Sequence, residues 1–379
     1  MKIGVPRETG EGERRVALVP DSARSLASRE GVEVLIESGA GESAGFTDEL
    51  YEGDGVSRAS RDEVLAADLL LAVGPPDEAL VAGLGGNQIL VANLDPLTAA
   101  ESNRKLAQSG ATAFAMELIP RTTRAQAMDS LSSQATAAGY AATLIAARES
   151  GRFWGMLTTA AGTIRPAKVM VLGAGVAGLQ AVATAKRLGA IVTGFDIRRA
   201  AWEQIASLGG RPLELDFIPD AEGEGGYARP LTDEENEQVR QALADNAAKQ
   251  DVIITTAAIP GRPAPTLITA EAVANMAPGS VIVDLAAETG GNCELTEPGV
   301  TVDSGGVKVL GPLNLPSELP GHASQLYAKN LENLLGLMVA DDGSISLDFE
   351  DDIIDGACVT HQGEIRGDRT ARYWTWLPR

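Results

Sequence analysis

The chain has 379 residues, a formal net charge of −21, 44% hydrophobic and 22% charged residues, a balance that excludes wholesale disorder and a fibrous repeat. The acidic surface argues against nucleic acid as a partner, because phosphates need basic side chains. No run of about 18 apolar residues predicts a membrane span; the N-terminus MKIGVPRE lacks a signal peptide's apolar core, so a cytoplasmic chain is expected.

The length suggests two or three domains. The first third alternates β-rich runs, Lys2–Val5, Val32–Ile36, Asp68–Val73, Gln88–Ala92 and Thr112–Met116, with helical stretches such as Asp21–Ser28 and Ala99–Ser109. This alternation predicts βαβ units on a mostly parallel sheet, and runs such as LLLAV predict strands covered on both faces. Residues 124–150 are rich in alanine and free of proline, which predicts one long helix. A second α/β series follows, with strands expected at Lys168–Leu172, Ile191–Phe195, Asp251–Thr255, Ser280–Leu285 and Lys308–Leu310. Within it, the acidic, glycine-rich stretch 216–234 predicts a mobile surface loop. After Pro320, Tyr327, Leu331, Leu334, Leu335 and Met338 form one apolar stripe at helical spacing, and the tail 343–379 returns to short mixed segments. The expected fold is α/β, with two Rossmann-like, doubly wound parallel-sheet domains and a cleft between them. The second, 136–320, is inserted in a first built from 1–135 and 321–379.

The stretch 168–196, KVMVLGAGVAGLQAVATAKRLGAIVTGFD, carries the strongest motif. An apolar strand leads into Gly173, Gly175 and Gly178 in G-x-G-x-x-G order. A helix follows and stops near Gly189, and a second strand ends in Asp196. Gly173 permits the tight turn, Gly175 lets the backbone approach a pyrophosphate, and Gly178 lets helix and strand pack closely. The helix N-terminus stabilises phosphate charge. Asp196 is expected to accept hydrogen bonds from an adenosine ribose and to repel a 2′-phosphate, which favours NAD(H) over NADP(H). Arg198 and Arg199 follow, either solvated, facing the pyrophosphate or receiving such a phosphate.

Two further segments are candidates. Residues 120–134, PRTTRAQAMDSLSSQ, put Arg121, Gln126, Asp129 and Ser132 at the entrance of the predicted long helix, with Asp129 and Ser132 on one face. Residues 255–265, TTAAIPGRPAP, follow a strand and would sit at the carboxyl edge of the sheet, with Ala258 the expected contact. Two cysteines, Cys293 and Cys358, and two histidines, His322 and His361, are too few and scattered to predict disulfides or a metal site.

With these motifs in place, the chain resembles the NAD(H)-binding components of proton-translocating NAD(P) transhydrogenases. The resemblance runs from MKIGVPRETGEGERRVALVP to DGACVTHQGEI and is carried by PRTTRAQAMDSLSSQATAAGY, GAGVAGLQAVATAKRLGA, TTAAIPGRPAPTLIT and VIVDLAAETGGNCELTEPG. It implies that Arg121, Gln126, Asp129 and Ser132 gather around the nicotinamide ring as the catalytic positions, with Thr122 and Thr123 beside them. It implies that Gly173, Gly175, Val176, Gly178, Asp196, Ile197, Arg198 and Ala258 hold the rest of NAD(H), and that a mobile loop carrying Gly226 and Tyr227 closes on the adenine side. It further implies a homodimer, NADP(H) on a partner component, and a separate membrane-spanning subunit that couples hydride transfer to proton movement. This chain would then lie peripherally on the inner face of the membrane.

Alanine dehydrogenases resemble the chain too, through KIGVPRE, the ERRVAL stretch and the Gly-rich unit. That activity implies a substrate-binding lysine and a catalytic histidine, where this chain has Gly74 and Asp95, while Arg15 stands at the family's substrate-carboxylate position. Oxidising an amine releases a proton that some group must carry; hydride exchange between two nicotinamides needs no such group, only two rings held together with water kept out. The amino-acid dehydrogenase and a non-catalytic NAD-sensing module remain the alternatives.

Overall fold

A computed structural model describes residues 1–215, 231–258 and 261–366. Gly226, Tyr227 and most of the expected 216–234 loop lie outside the described residues. The loop's last residues are described: Thr232 and Glu235 form a capping box that starts the helix Asp233–Ala247.

The strands are β1 Lys2–Val5, β2 Glu33–Glu37, β3 Val56–Ala59, β4 Leu69–Leu71, β5 Ile89–Ala92 and β6 Thr112–Ala115. A hairpin of β7 Leu157–Thr159 and β8 Gly162–Ile164 follows. Then come β9 Lys168–Leu172, β10 Ile191–Phe195, β11 Arg211–Pro212, β12 Val252–Thr255, β13 Val281–Asp284, β14 Thr301–Ser304 and β15 Val307–Leu310. The tail adds β16 Cys358–His361 and β17 Glu364–Ile365. Two compact units contain them: Met1–Gln134 with the chain from Pro316 onward, and Ala135–Leu315.

In the first unit the sheet order is β17-β16-β6-β5-β4-β1-β2-β3. The strands from β6 to β3 are parallel, and β16 joins β6 antiparallel, so the tail completes this sheet. Chain order reverses between β1 and β4, the kind of switch point at which α/β sheets open at their carboxyl ends. Both faces are covered, which is why β4 and β5 are apolar without alternation. On one face the helix Pro320–Met338 buries Tyr327, Leu331, Leu334, Leu335 and Met338 against Ile3, Val34, Leu71 and Phe114, as its stripe predicted. On the other, Leu35, Leu70, Leu90 and Ala113 pack with Leu106 and Leu118.

The second unit has the order β11-β10-β9-β12-β13-β15-β14, parallel except for β14 against β15. Its switch point lies between β9 and β12. Met170, Ile253, Ile282 and Val309 form a core with Val239 and Leu243 of the helix Asp233–Ala247. The helix Ser130–Glu149 passes so close to the start of the helix Val176–Arg187 that a Cβ on Gly139 would lie 2.1 Å from the Ala177 carbonyl oxygen.

Both units are doubly wound α/β folds, as expected, but several elements differ in detail. The predicted helix over 124–150 starts only at Ser130. Before it the chain makes turns and a short 3₁₀ segment, Gln126–Met128, because Asp129 caps the helix from outside. β3, the β7–β8 hairpin and β14 were not expected. They have little apolar alternation and are defined by the strands they pair with. No helix among the described residues is long and apolar enough to cross a membrane.

Candidate active site

The Gly-rich turn is built at the carboxyl end of β9. Gly173 has φ +91°, and a Cβ there would lie 2.7 Å from Thr256 Oγ1 and 3.0 Å from the Ala257 amide nitrogen. A Cβ on Gly178 would lie 1.9 Å from the Gly173 carbonyl oxygen. These two glycines let the helix Val176–Arg187 start directly over the strand end. Gly175 is different. It is the N-cap residue of that helix, offers no side-chain cap, and its Cβ position has nothing within 4 Å. The first helical N–H groups therefore open onto clear space beside the exposed Val176, an arrangement that suits an anion.

Asp196 follows β10 and is buried, 7% exposed. Its Oδ2 accepts hydrogen bonds from the Ala174 amide and from Arg198 Nη2, both at 2.8 Å. Its Oδ1 accepts from the Arg198 amide and from Arg198 Nε, both at 2.9 Å. The acid expected to face a ribose is thus bonded within the chain, and Arg198, expected near the phosphates, lies on it. Ile197 between them packs partly into the core. Trp202 Nε1 donates to the Asp196 carbonyl, and the Arg199 guanidinium stacks over the Trp202 ring at 5.9 Å.

Ala258 is exposed in the segment after β12. That segment is held by two residues that lie in the VIVDLAAETGGNCELTEPG stretch but to which no sequence motif assigned a role. Asn292 accepts from the Ala257 amide through Oδ1, at 3.0 Å, and donates Nδ2 to the carbonyls of Ala257 and Pro265. Asp284, fully buried at the end of β13, accepts from Thr255 Oγ1, Thr296 Oγ1 and the amides of Ala286, Asn292 and Cys293. The available signal was an acid at the end of an apolar strand followed by GGNC.

In the first unit, the loop after β6 carries Arg121, Thr122, Thr123 and Gln126, all exposed apart from the better-covered approach at Pro120. Gln126 sits on the 3₁₀ segment with no side-chain hydrogen bond to the described residues. Asp129 and Ser132 do not share a helix face. Asp129 precedes the helix Ser130–Glu149, accepting the Ser132 amide on Oδ1 at 2.9 Å and Ser132 Oγ on Oδ2 at 2.6 Å. Asn330 holds the Ala127 carbonyl at 2.9 Å. Arg124, unremarkable in the sequence, donates Nη1 and Nη2 to the two Asp351 oxygens at 2.6 and 2.7 Å and reaches Asp352, so it ties this loop to the start of the helix Asp352–Ala357.

The carboxyl edge of the same sheet is crowded with acids. Arg15 is buried; its Nε and Nη2 donate to Glu13 at 2.8 and 2.6 Å, and its Nη1 donates to Gln134 at 2.9 Å. Burial works against the Glu13 carboxylate, but the Arg15 hydrogen bonds and charge, with Ser317, outweigh it and bring its pKa down to about 2. Glu8 accepts the Val73 amide at 2.6 Å and the Gly74 amide at 3.3 Å, yet burial pushes its pKa up to about 7. Glu117 accepts the Asp95 amide on Oε1 at 2.7 Å, its buried Oε2 has no hydrogen-bond partner among the described residues, and burial pushes it too up to about 7. Asp95, at φ +47°, accepts from Thr98 Oγ1. Beyond β4 and β5, Gly74 and Asp95 thus supply no basic side chain, and Arg15 is already held by an internal acid.

Among the described residues no group of three or more His, Cys, Asp or Glu side chains is placed to hold a metal ion. Cys293 and Cys358 are buried, which pushes their thiols up to about 11 and about 12. They are poor nucleophiles.

Comparison with known proteins covers nearly the whole chain. It is 45% identical to an NAD(P) transhydrogenase subunit alpha chain of Rhodospirillum rubrum, over 96% of this chain and 97% of that one. A solved transhydrogenase structure from Sinorhizobium meliloti superposes with a TM-score of 0.88 at 42% identity, covering 96% of this chain and 100% of the other. The alanine dehydrogenase of Bacillus subtilis is more distant, 29% identical over 98% of this chain and 94% of that one. The family models for the N-terminal and C-terminal domains of alanine dehydrogenase/PNT match residues 4–138 and 142–368. The chain belongs to the alanine dehydrogenase/PNT family.

Proposed function

We propose that this chain is the NAD(H)-binding subunit of a proton-translocating NAD(P) transhydrogenase, passing hydride between NADH and NADP+ held on a partner subunit. Family membership brings nicotinamide nucleotide binding with it; the choice of NAD(H) for this chain rests on Asp196. The observation that carries the reaction class is Gly74 and Asp95 at the positions where an amino-acid dehydrogenase needs lysine and histidine, in a chain whose Gly-rich turn is intact. The full-length likeness to the Rhodospirillum rubrum subunit supports the same reading.

The residues present suit the cofactor. The open position at Gly175 and the uncapped N–H groups of the helix Val176–Arg187 would take the pyrophosphate. Asp196 would take the adenosine ribose, the loop with Gly226 and Tyr227 would take the adenine side, and Ala258 would be a contact at the carboxyl edge of the sheet. Bound NAD(H) supplies the hydride donor or acceptor. Gln126 would hold the carboxamide through its amide donors and acceptor, and Arg121, Thr122 and Thr123 would flank the ring. Asp129 and Ser132 would contribute first by fixing the helix start on which Gln126 depends. None of these side chains needs to carry a proton, in keeping with a transfer between two nicotinamides.

A homodimer and a membrane-spanning partner complete the proposal, with this chain peripheral at the inner face of the membrane. The hairpin supports the dimer. Residues 153–164, FWGMLTTAAGTI, carry no charge in a chain of net charge −21, and Phe153 and Met156 are 56% and 69% exposed. Two copies that repel elsewhere can meet on such a ribbon, whose β7 and β8 pair only with each other among the described residues.

A mixing assay tests the reaction: the purified chain with an NADP(H)-binding transhydrogenase component, followed by the absorbance of an NAD analogue. Hydride should pass between the two nucleotides, and the isolated chain should neither oxidise alanine nor aminate pyruvate. Failure to transfer with both nucleotides bound, or alanine turnover of about 1–1000 per second, would overturn it.

A further inference from the structure

The Asp196 carboxylate is saturated by its own chain. A carboxylate offers about four acceptor positions, and the donors here are the Ala174 amide, the Arg198 amide, Arg198 Nε and Arg198 Nη2. The two amides belong to the backbone of the Gly-rich turn and the strand end and cannot leave. The other two donors lie on one edge of a guanidinium, Nε on Oδ1 and Nη2 on Oδ2, at the end of a long side chain that is 19% exposed. Arg198 Nη2 also reaches the Ala174 carbonyl at 3.3 Å, so the guanidinium lies against the turn itself.

We propose that Arg198 is a built-in stand-in for the cofactor's ribose, and that cofactor binding exchanges its guanidinium edge for the ribose diol. The match is chemical. A vicinal diol presents two O–H donors side by side, the same number, the same sense and the same two oxygens as Nε and Nη2. The exchange leaves both backbone amides in place, so Asp196 keeps four donors before and after. This rests on the reading of Asp196 as the ribose acceptor and adds two consequences. Cofactor affinity is reduced by competition with Arg198, and Arg198 keeps the buried acid paired whenever the diol is away. Once displaced, the guanidinium lies beside the ribose and softens the repulsion between Asp196 and a 2′-phosphate.

The test is calorimetric titration of NADH and NADPH into the full chain and into Arg198→Met and Arg198→Lys. Methionine keeps the apolar stem and removes the competing donors. NADH should bind at least fivefold more tightly to Arg198→Met, NADPH should not, and the ratio between the two should widen. Lysine, with one compact donor group, should fall between wild type and methionine, and it carries the test if the methionine variant does not fold. Weaker or unchanged NADH binding in both variants would overturn the exchange while leaving the cofactor assignment standing. A wild-type chain that binds no NADH would overturn both.

Discussion

One methyl group at Gly178 would stand 1.9 Å from the Gly173 carbonyl oxygen, a backbone atom with no room to yield. Gly178→Ala should therefore push the helix Val176–Arg187 off β9. The expected cost is about 1–3 kcal/mol, with at least a tenfold loss of NADH affinity. Calorimetry and thermal unfolding would check both, and wild-type values would mean that the turn re-forms around alanine. Glu117 makes the opposite kind of prediction. Its pKa is raised from 4.5 to about 7 by burial, so the folded chain prefers the neutral acid. Below pH 4.5 both folded and unfolded chains hold that proton. Between 4.5 and 7 the unfolded chain gives it up first, and stability falls as pH rises. Glu117→Gln should accordingly stabilise the protein at pH 8, by at most about 3 kcal/mol, and change little at pH 4.5. Thermal midpoints across pH would show it; equal effects at both ends would place the benefit in packing instead of ionisation.

Among the elements, the start of the helix Ser130–Glu149 decides how Gln126 is presented. Asp129 satisfies the Ser132 amide and hydroxyl there. Asp129→Ala should cost about 0.5–2 kcal/mol, while Asp129→Asn, an equally good cap, should recover most of it. Measuring hydride transfer in the same variants separates two roles. If the asparagine variant is both stable and active, Asp129 serves as a cap; if it is stable and inactive, the negative charge itself acts on the nicotinamide. The Arg124 link to Asp351 and Asp352 braces the same loop from its other side. The Arg124 hydrogen bonds lower the Asp351 carboxyl pKa to about 2, so Asp351 stays ionised opposite Arg124 at neutral pH.

For the molecule as a whole, the net charge of −21 works against compactness. The ion pairs do little to offset it, since many are exposed at one or both ends, such as Arg24 with Asp21 and Lys105 with Glu78. Raising KCl from about 0.1 to about 1 M shortens the screening length from about 10 to about 3 Å. The thermal midpoint should rise by several degrees over that range. A midpoint that falls steadily with salt would show that favourable ion pairs outweigh the general repulsion.

Sequence alone determined what depends on neighbours along the chain. The strand, glycine turn, helix and second strand of 168–196 form a local unit, and the stripe from Tyr327 to Met338 needs only helical spacing to be read. The α/β class followed from the same local periodicities. Tertiary structure decided whatever depends on a partner far along the chain. β3 and β14 exist because β2 and β15 pair with them. The loop around Ala258 is held by Asn292, over thirty residues away. Arg124 looked like one more charge at a helix start until Asp351 met it. Glu8 and Glu117 looked like ordinary acids until burial raised their pKa values. The Asp196 carboxylate was legible as an acid at the end of the second strand of the 168–196 unit, but that Arg198 covers it is a matter of rotamer and burial. Spacing along a chain states which groups are near each other, whereas the partners a side chain takes are settled only when the surrounding strands, turns and helices exclude water from the alternatives.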